Sequence, residues 1–408
     1  MSRSTKHCVL ALSLLFVGGI AVAAHDPNTL DESTLAAPSG CGSICVTVFA
    51  KNFPLVGPFG PFGILFMPSG SVVVTAVSQG AYVFPNDGAS FTSPCPTVPG
   101  AGFDASLYSK PLNSSSIGGL GNVADLTFGI DGNIYCTGEG KLAVLSWNGT
   151  GFTTQPPVAS GGGAFGMGRD PISGAIIFAM NGVLNAYNYG GVGTSSALSG
   201  SSGGDGLVIT RDGQYIYVAA GSGVVRETIV RDSAQVPVGV TDVTPFCSGQ
   251  FAGSDGIAEG AAGTCFADYI VSNDNGPGDV GDMGLFNKST QACSILISNG
   301  SRGDFMKVHN GWLYATQHTS IALLTTNAFV NTPGAELPTC EQLTTIGNQL
   351  AASCLQGAGG IPAINCSNPN SAGGAIQALC AKLSNPHLSP ACATQIRALI
   401  SGIARVTG

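Results

Sequence analysis

A strand–turn–strand phrase recurs six times between about residue 62 and residue 320, and few folds can accommodate that rhythm. Its cleanest copy reads GDGLVITRDGQYIYVAAGSGVVRETIV, from Gly204 to Val230. The other copies begin at Pro61 (PFGILFMPSGSVVVTAV), Ala124 (ADLTFGIDGNIYCTG), Ala164 (AFGMGRDPISGAIIFAMNG), Ser254 and Gly303. Repeats of roughly 40 to 50 residues, each a small antiparallel sheet, are the signature of a β-propeller. The expected fold is therefore all-β: a six-bladed β-propeller, with a small helical, Cys-rich C-terminal extension. In such a ring the chemistry belongs to the first residues of each inner strand and to the loops on the same face.

Each inner strand meets its neighbour through a short turn: Ser69-Gly70, Asp131-Gly132, Ser173-Gly174, Asp212-Gly213, Ala262-Gly263 and Asn310-Gly311. Asp-Gly and Asn-Gly tolerate the positive φ values of type I′ turns, so tight hairpins are expected at all six. The last repeat has no fourth strand of its own. The alternating segment CVTVFA, Cys45 to Ala50, precedes the first repeat and is expected to supply it. That closure removes two open sheet edges.

The chain opens with the basic, polar MSRSTKH, then an apolar run from Cys8 to Ala24 and an A-x-A-type site before His25. This is the pattern of a secretory signal peptide rather than a spanning helix. The expected organisation is 1–24 signal, 25–44 lead-in, 45–332 propeller and 333–408 Cys-rich helical tail, the mature chain being secreted. Thirteen cysteines, less Cys8 of the signal, leave an even number and argue for disulfides in an oxidising compartment. Sequons at Asn113, Asn148, Asn287, Asn299 and Asn365 fit a secreted glycoprotein.

Only 9% of residues are charged and the net charge is −8, which gives no basic patch for nucleic acid. No later stretch is apolar enough for a membrane span. In the tail, Cys340, Cys354, Cys366, Cys380 and Cys392 follow one another at intervals of 14, 12, 14 and 12 residues. That spacing suits disulfide-stapled helical hairpins. Five is odd, so one of them is expected to pair outside the tail or with a partner chain. The tail either caps the propeller or mediates self-association.

The phrases GPFGILFMPSG, GDGLVITRDGQYIYVA and SDGIAEG resemble the gluconolactonase, senescence-marker-protein and strictosidine-synthase group of six-bladed propellers. The streptogramin-lyase type is similar at the level of single blades. The resemblance covers about residues 55–325. It implies a small-molecule substrate at the channel mouth. It also implies one divalent cation, Ca²⁺ or Mg²⁺, held by acidic and Asn side chains at the starts of inner strands.

Aligning the repeats on their turn glycines gives the matching positions: Phe62, Ala124, Phe165, Asp205, Asp255 and Gly303. Asp205 and Asp255 resemble the family's ligands, whereas Phe62 stands where the family has a Glu. Asp125 and Asp304 fall one residue later, where alternation points them away from the channel unless a bulge re-aims them. Rim loops contribute Gln79, Glu139, Asn181, Ser222, the acidic run with Asp274, Asp279 and Asp282, and His318. Arg302 precedes the last inner strand.

The leading expectation is an enzyme opening a lactone or ester. Asp255 and Asp205 would bind the cation or act as base, with His318 and Arg302 assisting. A metal-independent catalyst of cyclisation or cycloaddition is the second reading, on the apolar lining from Phe62 and Phe165. A non-catalytic extracellular binding or matrix protein is the third. No zinc-type spacing is present.

Overall fold

The computed structural model describes residues 30–89, 102–108, 120, 122–147, 152–221, 223–246, 251, 253–274, 280–354, 360–386 and 388–407. The signal segment, Asn113, Asn148, Ser222, Asp279 and His387 lie outside them, as does the side chain of Asp274.

Six antiparallel sheets form a ring. Blade one is β2 (Pro61–Phe66), β3 (Val72–Ala76) and β4 (Gly80–Phe84). Blade two is β6 (Asp125–Phe128), β7 (Ile134–Gly138), β8 (Lys141–Trp147) and β9 (Phe152–Ser160). Blade three is β10 (Ala164–Arg169), β11 (Ile176–Met180), β12 (Val183–Tyr187) and β13 (Ser196–Ala197). Blade four is β14 (Leu207–Ile209), β15 (Tyr215–Ala219), β16 (Val224–Arg231) and β17 (Pro237–Phe246).

Blade five is β18 (Ser254–Glu259), β19 (Tyr269–Asp274), β20 (Val280–Asn287) and β21 (Cys293–Ser301). Blade six is β22 (Met306–His309), β23 (Trp312–Thr316) and β24 (Ile321–Thr325), completed by β1 (Cys45–Lys51). The expected ring closure is observed: Val46 opposes Leu324 and Thr47 opposes Leu323 in an antiparallel ladder. A short β5 (Phe103–Asp104) then pairs in parallel with β1.

Second strands such as VVVTA and IIFAM are buried along their whole length, because each is covered by a neighbouring blade on both faces. Six apolar clusters result, one for each interface around the ring. The richest in rings lies between blades six and one, where Phe49 meets Phe84 and Tyr314 edge-on at 5.3 and 5.4 Å.

The hairpin expectation needs two corrections. Both central residues have positive φ at Asn310 (52°) and Gly311 (77°), but at Asp131-Gly132 and Asp212-Gly213 only the glycine does. Those aspartates use their side chains instead: Asp131 Oδ1 accepts the Asn133 N–H at 3.0 Å, and Asp212 Oδ1 accepts the Gln214 N–H at 2.9 Å. Pairs with positive φ at both residues also occur on the opposite face, at Glu139-Gly140 and Asn181-Gly182. In blade five a turn does form at Ala262-Gly263, the Thr264 N–H donating to the Ala261 carbonyl at 3.2 Å, but it does not join the two strands directly. Residues 260–268 make a longer loop, from which Cys265 reaches Cys41 in a disulfide.

The channel is closed at one end by the chain itself. Leaving blade six, residues 328–335 run across the carboxyl ends of the inner strands. Val330 N–H donates to Glu259, and Arg169, Phe128 and Phe66 N–H groups donate to the carbonyls of Pro333, Gly334 and Ala335. Gly334 is obligatory there: its φ is +91°, and a Cβ would lie 1.9 Å from Thr127 Oγ1. Access to the channel is thereby left to the face where the inner strands begin.

Helices α1 (Cys340–Cys354), α2 (Pro369–Leu383) and α3 (Pro390–Thr407) follow, stapled by Cys340–Cys366 and Cys354–Cys392. Leu343, Ile346, Leu399 and Ile403 share one cluster with Ile130, Tyr135, Met167 and Tyr189, so the helices cover the edge of blades two and three. Arg405 adds hydrogen bonds to the Gly132 carbonyl and to Asn133. The fifth tail cysteine does not bond to the propeller: Cys380 is an exposed free thiol. Cys45 and Cys293 are also disulfide-bonded. Among the described residues no helix is long and apolar enough to cross a membrane.

Candidate active site at the channel mouth

Four inner strands open with a channel residue followed by glycine: Phe62-Gly63, Phe165-Gly166, Asp205-Gly206 and Asp255-Gly256. A Cβ on Gly206 would stand 1.7 Å from the Asp255 carbonyl oxygen, and one on Gly166 would stand 2.5 Å from that of Asp205. Hydrogen at this position lets adjacent inner strands touch backbone to backbone. Asp205 and Asp255, fifty residues apart in sequence, are thereby brought within hydrogen-bonding reach of each other.

In blades two and six that glycine is replaced by Asp125 and Asp304, and the expectation that they face away from the channel fails. The second position of each strand points at the next blade's inner strand, and a carboxylate placed there extends into the ring. Asp125 Oδ2 accepts the Met167 N–H at 3.0 Å, and Lys307 Nζ lies 3.0 Å from Asp125 Oδ1. Both side chains of this pair are buried at mid-channel. Asp304 turns to the mouth, where Arg302 holds it at 2.8 Å while standing 3.9 Å from Asp255.

Arg302 is fixed from its other side by an aromatic wall. Its guanidinium lies 4.6 Å above the Phe59 ring, which meets Phe62 at 5.8 Å, and Phe62 meets Phe305 at 5.7 Å. Three carboxyl groups, one guanidinium and this wall thus share a largely dry space. Burial, then the charges of Asp304 and Asp205, push Asp255 up to about 9. Burial also raises Asp304, to about 6, against the pull of Arg302. At neutral pH Asp255 is the proton-bearing member of the group.

His318 lies in the β23–β24 turn, its N–H donating to Ser301 Oγ. Its buried Nε2 has no partner. Asn273 Nδ2 and Ser254 Oγ are likewise buried without partners beside the start of β18. Asn273 separates Gly256 from Gly303: a Cβ on the latter would meet its Nδ2 at 2.4 Å.

Sequence reading missed Lys307, Asn273 and Phe59. Lys307 had a legible signal, since it continues the alternating stripe of Gly303 and Phe305. Of the rim residues, Glu139 is exposed at its turn, and Asp282 accepts the Asn299 N–H at 3.3 Å. Asn181 and Phe165 line a depression of about 360 Å³ between blades three and four that reaches Asp205.

No family model matches this sequence, and no curated protein matches it. Solved structures do. A putative phosphatase from Bacteroides thetaiotaomicron is similar with a TM-score of 0.50 at 10% identity, over 69% of this chain and 78% of that one. A gluconolactonase from Xanthomonas campestris gives 0.48 at 12% identity, over 75% and 96%. A luciferin-regenerating enzyme gives 0.48 at 10% identity, over 73% and 100%. The likeness is one of fold: this chain is a six-bladed β-propeller.

The side chains as arranged do not fit a divalent cation. Phe62 occupies one of the channel positions, Asp205 and Asp255 engage each other, and Asp304 is taken by Arg302. Among the described residues no three of His, Cys, Asp and Glu gather in a metal-holding group.

Proposed function

We propose that the channel mouth hydrolyses a small lactone or ester by general acid–base catalysis from the Asp255–Asp205 carboxyl pair. The observation that carries this reading is a buried Asp255 within hydrogen-bonding reach of Asp205, with Arg302 at 3.9 Å. Two carboxyls within reach of each other, one of them buried, are suited to act as acid and base on one substrate.

Asp205, as carboxylate, takes a proton from water as its oxygen attacks the acyl carbon. Arg302 is near enough to stabilise the negative charge on the carbonyl oxygen. Collapse breaks the acyl–oxygen bond, and Asp255 gives its proton to the departing alkoxide. The carboxylic acid product then releases its own proton. The proton on Asp205 passes along the shared hydrogen bond to Asp255, which restores the starting state. The unpartnered His318 Nε2 is available for a hydrogen bond to the substrate. The disulfides support a secreted enzyme in an oxidising setting.

Hydrolysis of dihydrocoumarin and of glucono-δ-lactone tests this reading. Turnover that persists in EDTA and falls about 10²–10⁴-fold in both Asp255→Asn and Asp205→Asn fits the pair as acid and base. Activity abolished by EDTA and restored by Ca²⁺, or unchanged in Asp255→Asn, would overturn it. The aromatic wall supports a second reading, catalysis of a cyclisation by orientation alone. That reading gains if the protein binds small aromatic molecules but hydrolyses neither lactone.

A further inference from the structure

The depression beside Asp205 is built unlike the rest of the mouth. Half of its lining is glycine: Gly162, Gly163, Gly182, Gly203 and Gly204. Glycine walls present flat peptide planes and no side chains, which leaves a slot rather than a bowl. At its lip Phe165 is 45% exposed, a costly arrangement for an aromatic ring unless it meets something. Met180 and Ala179 supply apolar contact. Asn181 is the only other polar side chain, and its Oδ1 is already engaged by the Gly162 N–H.

The single charged residue of the slot is Asp205, which also belongs to the carboxyl pair. A molecule in the slot therefore has one end at the reacting carboxyls. A polyhydroxylated ring would surrender its hydrogen bonds to water here and find few in return. A planar apolar ring would cover Phe165 and lie against peptide planes at little cost.

We propose that this slot is the substrate-recognition subsite and that it selects a planar aromatic ring carrying the ester or lactone, in preference to a sugar lactone. The proposal rests on the hydrolytic reading above for its reaction, and on the slot alone for its binding. Phe165 is a specificity-determining residue in it: its ring stacks on the ligand's ring, and the acyl carbon then falls at Asp205 and Asp255.

Coumarin, a planar aromatic lactone, serves as the binding probe with the full chain, titrated calorimetrically. Binding is expected to weaken at least tenfold in Phe165→Ala and to stay within about threefold in Phe165→Trp. Both variants should keep the wild-type circular dichroism and Tm, since the residue is half exposed. In turnover, wild type should prefer dihydrocoumarin to glucono-δ-lactone, and Phe165→Ala should cut that preference at least tenfold through dihydrocoumarin alone. Unchanged coumarin affinity in Phe165→Ala, or a preference for the sugar lactone, overturns the subsite. If neither lactone is hydrolysed but coumarin binds and Phe165→Ala releases it, the hydrolytic reading fails and the subsite stands.

Discussion

Lys307 Nζ lies 3.0 Å from Asp125 Oδ1, joining blade six to blade two across the channel with both side chains buried. The pair sits between the closed end of the channel and the carboxyl cluster at its mouth. It spans blade one, so it ties together inner strands that are not neighbours in the ring.

Removing one member leaves the other buried without its partner. Lys307→Met is expected to cost about 3–5 kcal/mol of stability, and Lys307→Met with Asp125→Leu should recover more than half of that. Urea unfolding of the single and double variants measures it. A single variant within 1 kcal/mol of wild type, on the same order-of-magnitude scale, would show that the pair is not coupled to folding.

Asp255 and Asp304 hold their protons to higher pH in the folded protein than in an unfolded chain, Asp304 to about 6 and Asp255 to about 9. Their stabilising contribution is complete below the ordinary carboxylate range. It declines as pH rises above that range, the Asp304 share being lost by about 6 and the Asp255 share by about 9. The Tm should fall from pH 5 to pH 9, the unfolding free energy dropping by up to about 1.4 kcal/mol per pH unit for each proton being released. In Asp255→Asn the alkaline part of that slope should flatten; a profile identical to wild type would place the titrating group elsewhere.

Gly206→Ala tests how the carboxyl pair is brought together. Its Cβ would fall 1.7 Å from the Asp255 carbonyl oxygen, so blades four and five must separate. A loss of about 1–3 kcal/mol is expected. Because separation weakens the influence of Asp205 on Asp255, the pH slope of the Tm should also shrink. Gly213→Ala, at a turn glycine of positive φ, is the control that costs stability without altering that slope.

The docking of the helical extension depends on Gly402, where a Cβ would meet the Ile130 carbonyl oxygen at 1.7 Å. Gly402→Val should lift α3 from blade two while the disulfides still hold the helices together. Trypsin cleavage after Arg397 and Arg405 should accelerate at least tenfold, with the propeller fragment surviving. Unchanged cleavage would mean that α3 is retained by its other contacts.

Local order was legible in the sequence to the extent that it rests on periodicity. The short apolar runs VVVTA, IIFAM and YIYVA, each bounded by a turn glycine, specify buried strands and hairpins whatever surrounds them. The missing fourth strand of blade six and the alternating CVTVFA segment sufficed to locate the closure. The turn subtype was less legible, because Asp131 and Asp212 satisfied neighbouring backbone N–H groups with their carboxylates and did not need positive φ. Cysteine spacing in the extension announced staples, but leaving Cys380 unbonded was a matter of where α2 turned its faces.

The sequence by itself determined the ring of blades, because strand period, turn chemistry and repeat length are properties of contiguous residues. It also nominated Asp205, Asp255 and Arg302 as residues at the starts of inner strands. Only the tertiary structure decided that Asp205 and Asp255 share a hydrogen bond, that Asp304 joins them, and that Lys307 answers Asp125 across the channel. Those relationships depend on the distance between strands of different blades. Glycines with no Cβ set that distance, and burial then gives each charge its partner.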